Sequence, residues 1–185
     1  MSSESSVRLM FLASQKFEDG KAIRGVFLLT DAQTKPLEFR CTNPIRPTTL
    51  QTVLYGDSLQ RHIMVELIGV PLFNSLKEPP ALVLVRESEL LNVRPRISVA
   101  VIQIAKEDAI PIATNGEEHS ARVMESGSGR FQPVILIPDS RHPGDRDVAK
   151  GILSEIFNAH DLSEPFTRIS NALDQVHAQK IGEEK

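Results

Sequence analysis

Four acidic residues and one histidine are the side chains of this sequence that could do chemistry. These candidates are Glu66, Glu87, Asp145, Asp147 and His142. Carboxylates supply the oxygen ligands with which divalent ions hold the attacking and leaving oxygens of a displacement reaction. His142 and Asp145 enclose only a proline and a glycine, so the aspartate could orient the imidazole as a base. We favour an ordinary turn there, with Asp145 capping the helix that follows.

The short motifs of familiar active sites are absent from the sequence. It contains no glycine-rich dinucleotide fingerprint, phosphate-binding loop, nucleophile elbow or Cys-x-x-Cys pair. None of the histidines has a partner at the spacing of a zinc or iron site. We therefore expect no metal and no cofactor, and we keep magnesium or manganese, bound by the acids, as the alternative.

Composition limits the class of protein. The 185 residues carry a formal net charge of −3, and 41% of them are hydrophobic, which is typical of one folded domain. Aromatic residues make up 5% with no tryptophan, and no strongly basic region stands out, so we do not expect nucleic acid as a partner. The single cysteine and the lack of a long apolar segment predict a cytoplasmic protein without a membrane span.

Three arginines surround a proline-bounded corner of the chain. They are Arg40, Arg46 and Arg61. Together with the start of a helix they could hold an anion. Solvated side chains on an ordinary surface are the other interpretation of the same pattern.

The strand before this corner is predicted from alternation. Leu37, Phe39 and Cys41 alternate with polar residues, which predicts a half-buried strand with these three side chains inward. Cys41 is then a core thiol, because free cysteine is one of the most buried residue types. Two prolines end the strand.

The helix after the corner carries a defined start signal. Thr48 precedes Gln51 by three residues, the spacing of a capping box, so the helix begins at about Thr49. Its apolar residues recur at helical spacing on both sides of Gly56, which predicts a kinked helix that covers a sheet. Gly69 and the following proline predict its end.

The remaining elements complete an α/β or α+β domain with a mixed sheet. Residues 7–13, 23–30 and the strand before the corner form an antiparallel meander, residues 81–85 return parallel, and residues 97–105 form a further strand. We assign residues 1–6 to a polar tail, 7–160 to the domain, and 161–185 to a C-terminal amphipathic helix.

The order of elements in about the first 105 residues resembles the ribonuclease H-like fold. A metal-dependent nuclease of that fold would need carboxylates in the first strand, on the first helix, after the fourth strand and near the last helix. The later places are matched by Glu66, by Glu87 and by Asp145 or Asp147. The first strand offers only Ser14 and Gln15, so the resemblance implies an inactive relative or no relation.

The C-terminal helices decide the leading hypothesis. An apolar stripe that could close the protein's own core or dock on a partner comprises Leu162, Phe166, Ile169, Leu173 and Val176. We predict a non-catalytic protein that works through contact with another protein or with itself. The alternative is a ribonuclease H-like, divalent-metal-dependent nucleic-acid-processing protein with an intact or a degenerate active site.

Overall fold

A mixed sheet lies at the centre of the molecule. The computed structural model describes residues 7–106 and 122–183, so the predicted tail at 1–6 lies outside the described residues. Seven strands of the described residues are joined in the order β3-β2-β1-β4-β5-β7-β6. The strands are β1 (Leu9–Phe17), β2 (Ala22–Thr30), β3 (Pro36–Cys41), β4 (Leu82–Val85), β5 (Val101–Lys106), β6 (Val123–Met124) and β7 (Val134–Pro138).

Helices cover both faces of this sheet. The α-helices are α1 (Thr49–Tyr55), α2 (Ser58–His62), α3 (Val70–Asn74), α4 (Asp145–Ala159) and α5 (Glu164–Ala178). A π-helical segment, Ile63–Gly69, joins α2 to α3, and a 3₁₀ helix, Ser88–Arg96, follows β4. None of the helices in residues 7–106 and 122–183 is long and apolar enough to cross a membrane.

The strand directions confirm the predicted mixed sheet. β1, β2 and β3 form the antiparallel meander, and β4 returns parallel to β1 after the helical crossover. β5 continues the parallel pairing, whereas β7 and β6 are antiparallel additions at the far side. The fold prediction, an α/β domain with a mixed sheet, is therefore confirmed.

Burial on both faces explains the apolar sequence of β1. Leu9 to Ala13 are fully buried, and alternate residues of this run belong to two separate hydrophobic clusters. One cluster packs the sheet against α4 and α5, and the other packs it against the π-helical segment and the 3₁₀ helix. A strand that lacks polar alternation is what this position in the sheet requires.

The predicted capping box is present, but the helix that it starts does not cover the sheet. The Gln51 amide donates to Oγ1 of Thr48 at 3.1 Å, and the Thr48 amide donates to Oε1 of Gln51 at 2.9 Å. Leu50, Val53 and Leu54 of α1 are 66%, 74% and 71% exposed. Burial of this helical stretch begins only at Ile63.

The helical stretch also continues beyond its predicted end. Gly69 lies inside a continuous run of helical dihedrals that reaches Asn74. A Cβ on Gly69 would lie 2.3 Å from Cγ2 of Val93. The glycine therefore serves the close packing of the 3₁₀ helix on this segment and does not end the helix.

The half-buried prediction for β3 is wrong. β3 is the edge strand of the sheet, and Leu37 and Phe39 are 49% and 38% exposed. Cys41 is only partly buried, although burial still raises the pKa of its thiol. At this edge of the sheet Leu37 and Phe39 stay largely in solvent, and only Cys41 packs against the cluster on the α4 and α5 side.

The C-terminal stripe packs on the protein's own sheet. Leu162, Phe166, Ile169 and Leu173 are buried in the cluster on the α4 and α5 side, and the Phe166 ring meets Phe11 of β1 edge to face at 5.5 Å. Val176, the last member of the stripe, is partly exposed. Of the two alternatives for this stripe, packing in the protein's own core is the one that these side chains follow.

The contact between β2 and the π-helical segment yields a stability prediction. A Cβ on Gly25 would lie 2.2 Å from Cγ2 of Ile68, so we expect Gly25→Ala to lower the free energy of unfolding by about 1–3 kcal/mol through overpacking. A Cβ on Gly151, in α4, would meet no atom beyond its own helix backbone within 4 Å. Gly151→Ala should therefore raise the free energy of unfolding by about 0.5–1 kcal/mol. Urea unfolding measures the free energy of both variants. Equal changes in the two would contradict the predicted clash at Gly25.

Candidate functional site

Three parallel strands end together at one edge of the sheet. β1, β4 and β5 run in the same direction, and ligands of α/β proteins commonly bind beyond the carboxyl ends of such strands. Here the Ser14 amide donates to Oε2 of Glu87 at 3.1 Å, and Nε2 of Gln103 donates to the carbonyl of Arg86 at 3.1 Å. We call Ser14, Arg86, Glu87, Gln103 and Ser170 the strand-end cluster.

Arg86 holds the strand-end cluster together. Its Nε donates to Oε1 of Glu87 at 2.8 Å, its Nη1 donates to Oγ of Ser170 at 2.9 Å, and its Nη2 donates to the carbonyl of Ser14. Because a guanidinium presents its donors in one fixed plane, this single side chain connects β1, β4 and α5.

Glu87 is the carboxylate of the strand-end cluster. Burial raises its pKa above the usual value, and Arg86 and the Ser14 amide oppose that shift. Both of its oxygens already accept hydrogen bonds. Within the described ranges no group of three metal-binding side chains includes Glu87. The cluster therefore does not fit a pair of divalent ions, which needs several free oxygen ligands.

A cleft of about 530 Å³ opens beside the strand-end cluster. Arg86 and Lys106 give its wall two positive charges, Thr167 adds a hydroxyl, and Phe166 contributes an apolar surface. A cleft with an apolar wall and a few polar groups is the usual form of a ligand site. This one can accept an anionic group between Arg86 and Lys106.

A second polar cluster lies at the turn that follows β1. One ligand atom from each of Glu18, His177 and Glu183 lies within 4.8 Å of the others. Arg46 stands among them, because its Nη2 donates to Oε1 of Glu18 at 2.6 Å and to Oε1 of Glu183 at 3.1 Å. The Arg46 hydrogen bonds lower the pKa of Glu18, and both carboxylates raise the pKa of Arg46. We call these four residues the Glu18 cluster.

His177 is oriented by the buried Arg24. The Arg24 side chain is 1% exposed, and its Nε donates to Nδ1 of His177 at 3.3 Å. Its other nitrogens donate to the carbonyls of Thr42 at 3.1 Å and Ile181 at 2.8 Å. Nδ1 of His177 therefore acts as an acceptor, and the ring turns Nε2 toward Glu18 at 3.7 Å.

The acids predicted from the sequence are held apart by arginines. Glu66 pairs with Arg96, and Asp145 accepts from Nε of Arg94 at 2.6 Å. Asp145 also accepts from the amide of Val101 at 3.0 Å, whereas Asp147 is exposed at the start of α4. No cluster of three metal-binding groups in the part of the chain that the structure describes contains any of these acids.

His142 meets a different aspartate from the one considered in the sequence. Its Nδ1 lies 3.4 Å from Oδ1 of Asp139, while Gly144 occupies the N-cap of α4 and no side chain caps it. Asp139 accepts from Nε and Nη2 of Arg141 at 2.9 and 2.7 Å. Asp145 therefore does not cap the helix as predicted; it forms a buried ion pair with Arg94.

Two of the three predicted anion-binding arginines already have carboxylate partners. Arg40 donates to Glu38 at 2.7 Å, and Arg46 belongs to the Glu18 cluster. Arg61 is exposed, has no ion pair among the described residues, and lines a separate cleft of about 490 Å³. The structure therefore does not bring the three arginines together.

Sequence reasoning named Glu87 and Arg46 as candidates but missed the other functional members of the two clusters. Arg86 follows the buried run of β4 directly, and a charged pair at that place signals the polar end of a strand. Glu18, His177 and Arg24 carried no such signal, because they meet only when α5 crosses the end of β1.

Comparisons with known proteins give a fold relationship. No protein-family model matches the sequence, and no curated protein matches it. Human ENDOV is 10% identical with a TM-score of 0.59, and the alignment covers 97% of this chain and 87% of that one. Endonuclease V from Ciona intestinalis, solved with an inosine-containing DNA, is 12% identical with a TM-score of 0.59 and coverages of 97% and 88%. The Bacillus subtilis endonuclease V is 12% identical with a TM-score of 0.54, and the alignment covers 94% of this chain and 84% of that one.

This fold relationship corrects three predictions. The structural neighbours are endonucleases V, so the prediction of a non-catalytic protein that works through protein–protein contact is wrong. The Ciona intestinalis protein was solved with DNA, which overturns the expectation that nucleic acid is not a partner. The same likeness and the ligand set of the Glu18 cluster overturn the expectation of no cofactor and favour the magnesium or manganese alternative.

The Asp139 contacts predict a pH-dependent contribution to stability. Hydrogen bonds from Arg141 hold the pKa of Asp139 well below its usual 3.8, so this contribution is complete above that value and disappears as the pH falls through the folded-state pKa. We expect Asp139→Asn to cost about 1 kcal/mol at pH 7, because Arg141 is half exposed, and progressively less in acid.

Urea midpoints across the acid range measure this difference. Asp57→Asn is the matched control, since Asp57 makes no side-chain cap bond and asparagine is an equally good N-cap. A loss at Asp139 that did not change with pH would contradict the ionic origin of the effect.

Proposed function

We propose that this protein is a divalent-metal-dependent nucleic-acid-processing protein of the ribonuclease H-like class. The observation that carries the nucleic-acid part of the proposal is the basic cleft beside the strand-end cluster, at the carboxyl ends of three parallel strands in a fold shared with endonucleases V. The metal part of the proposal rests on the Glu18 cluster. This edge is the general place for ligands in open α/β sheets. We also propose the cytoplasm as its compartment, on the basis of its single cysteine.

The cleft supplies the groups that a nucleic-acid backbone needs. Arg86 is fixed by three hydrogen bonds, so its charge is positioned before any ligand binds. Lys106 and the Thr167 hydroxyl line the same cleft. A preoriented guanidinium, a mobile ammonium and a hydroxyl can together contact the oxygens of a phosphodiester.

The Glu18 cluster is the set of described side chains that could hold the cation. The carboxylates of Glu18 and Glu183 would be its ligands, because Nδ1 of His177 accepts from Arg24 and a neutral ring then carries its proton on Nε2. Carboxylate oxygens suit magnesium or manganese. A bound divalent ion would neutralise phosphate charge and lower the pKa of a water ligand. Arg46 now neutralises Glu18 and Glu183, so a cation and the Arg46 guanidinium compete for the same oxygens.

The strand-end cluster supports a nucleic-acid-processing protein with a degenerate active site. Ser14 stands in β1 beside Glu87, where the resemblance calls for a carboxylate. Arg86 occupies Oε1 of Glu87, and the Ser14 amide occupies Oε2. Of the acids predicted from the sequence we retain Glu87 for this end of the sheet, because it contacts both Ser14 and Arg86 of the strand-end cluster; burial raises its pKa above the usual value.

Nucleic-acid binding is the first test of the proposed function. We expect labelled DNA or RNA to bind the full chain with an affinity that falls as salt rises, and Lys106→Gln to reduce the slope of log K against log salt by about 0.7–0.9. Lys77→Gln, before β4 at the opposite edge of the sheet, is the matched control. Fluorescence anisotropy measures both, and no binding of any nucleic acid would overturn the proposal.

Cation binding gives a second, separate test. We expect manganese at about ten times its Kd to raise the Tm by about 3 °C. Glu18→Gln and Glu183→Gln should abolish the rise, and Arg46→Gln should enlarge it by removing the competing guanidinium. Glu155→Gln, on the exposed face of α4, is the control. A rise that survives both glutamine variants would place the ion elsewhere.

A further inference from the structure

A cationic cleft lies away from both clusters described above. It is formed between α2 with the first turn of the π-helical segment on one side and the 3₁₀ helix on the other, and has a volume of about 490 Å³. We call it the Arg61 cleft and define it by Tyr55, Arg61, His62, Glu66, Arg96 and Arg141.

The charge of the Arg61 cleft is opposite to that of the whole chain. Its wall carries three arginines against the single acid Glu66, whereas the chain as a whole has a net charge of −3. Arg96 pairs with Glu66, and Arg141 pairs with Asp139. Arg61 remains exposed with no ion pair among the described residues. A free guanidinium beside two partly neutralised ones is suited to an anionic ligand.

Aromatic rings border the same cleft. Tyr55, the only tyrosine of the chain, stacks against His62 with ring centroids 4.5 Å apart and planes inclined by 33°. Tyr55 is 39% exposed, so part of its ring is accessible from solvent. An aromatic face next to arginines is the combination that stacks a base and contacts the adjoining phosphates.

We propose that the Arg61 cleft binds single-stranded nucleic acid, with a base stacked on Tyr55 and the backbone held by Arg61, Arg96 and Arg141. The inference rests on the proposed function and specifies its ligand. Bases inside a duplex are stacked on each other, so only an unpaired base can reach the ring. A phosphate group alone would use the arginines and leave Tyr55 without a role.

Binding to short single-stranded and duplex oligonucleotides of one sequence tests this proposal. We expect the full chain to prefer the single strand, and Tyr55→Ala to weaken that binding about fivefold or more. Tyr55→Phe, which keeps the ring, should bind as the unmodified protein does. Arg61→Gln should reduce the slope of log K against log salt by about 0.7.

The controls separate this inference from the proposed function. Arg130→Gln replaces another exposed arginine, in the loop before β7, and should leave binding unchanged. If the protein binds nucleic acid but Tyr55→Ala and Arg61→Gln bind equally well, or if the duplex is preferred, the cleft assignment fails and the proposed function stands. If the unmodified protein binds no nucleic acid, both fail. Thermal melts of the variants confirm that each is folded.

Discussion

The parallel contact between β1 and β4 is the constraint on which the rest of the structure depends. Four consecutive pairs, from Leu9 with Leu82 to Leu12 with Val85, join the two strands. A parallel neighbour requires a crossover, which the chain supplies with α1, α2, the π-helical segment and α3. The same pairing brings Ser14 and Glu87, which lie 73 positions apart in the sequence, together at the carboxyl ends of the strands. The architecture and the candidate site therefore have one origin.

Arginines determine what that edge and its surroundings can do. In a site built for divalent ions, carboxylates face each other and the metal offsets their repulsion. In this protein Glu87, Glu66 and Asp145 each face a guanidinium, which offsets the negative charge without a metal. The Glu18 cluster differs because it gathers two carboxylates and an imidazole around one arginine. A cation bound there would replace the positive charge of Arg46 at these carboxylates.

Local patterns were sufficient to predict much of the fold. The capping box at Thr48, the apolar run of β4 and the apolar stripe of α5 each depend on residues that are near one another in sequence. The edge position of β3 was not predictable, because alternation reports two faces and not whether a helix covers either of them. Gly69 was misread for a similar reason, since its role depends on Val93 in a different element.

The site was harder to predict than the fold because its contacts are long-range. Arg24 and His177 are 153 positions apart, and Arg86 and Ser170 are 84 apart. No spacing rule connects such residues, so acids were ranked by type and by their place on elements. That ranking identified Glu87 but also selected Glu66 and Asp145, whose partners are structural arginines. A charged residue directly after a buried strand was the usable signal.

The buried Arg24 has a consequence for how the chain folds during its synthesis. Its guanidinium depends on the carbonyl of Ile181, 157 residues later, and an unsatisfied buried charge is strongly unfavourable. Because this acceptor lies 157 residues after Arg24, the guanidinium gains it only after the intervening strands and helices have been synthesised. We therefore expect the packing around Arg24 to be completed only when the residues after α5 are present.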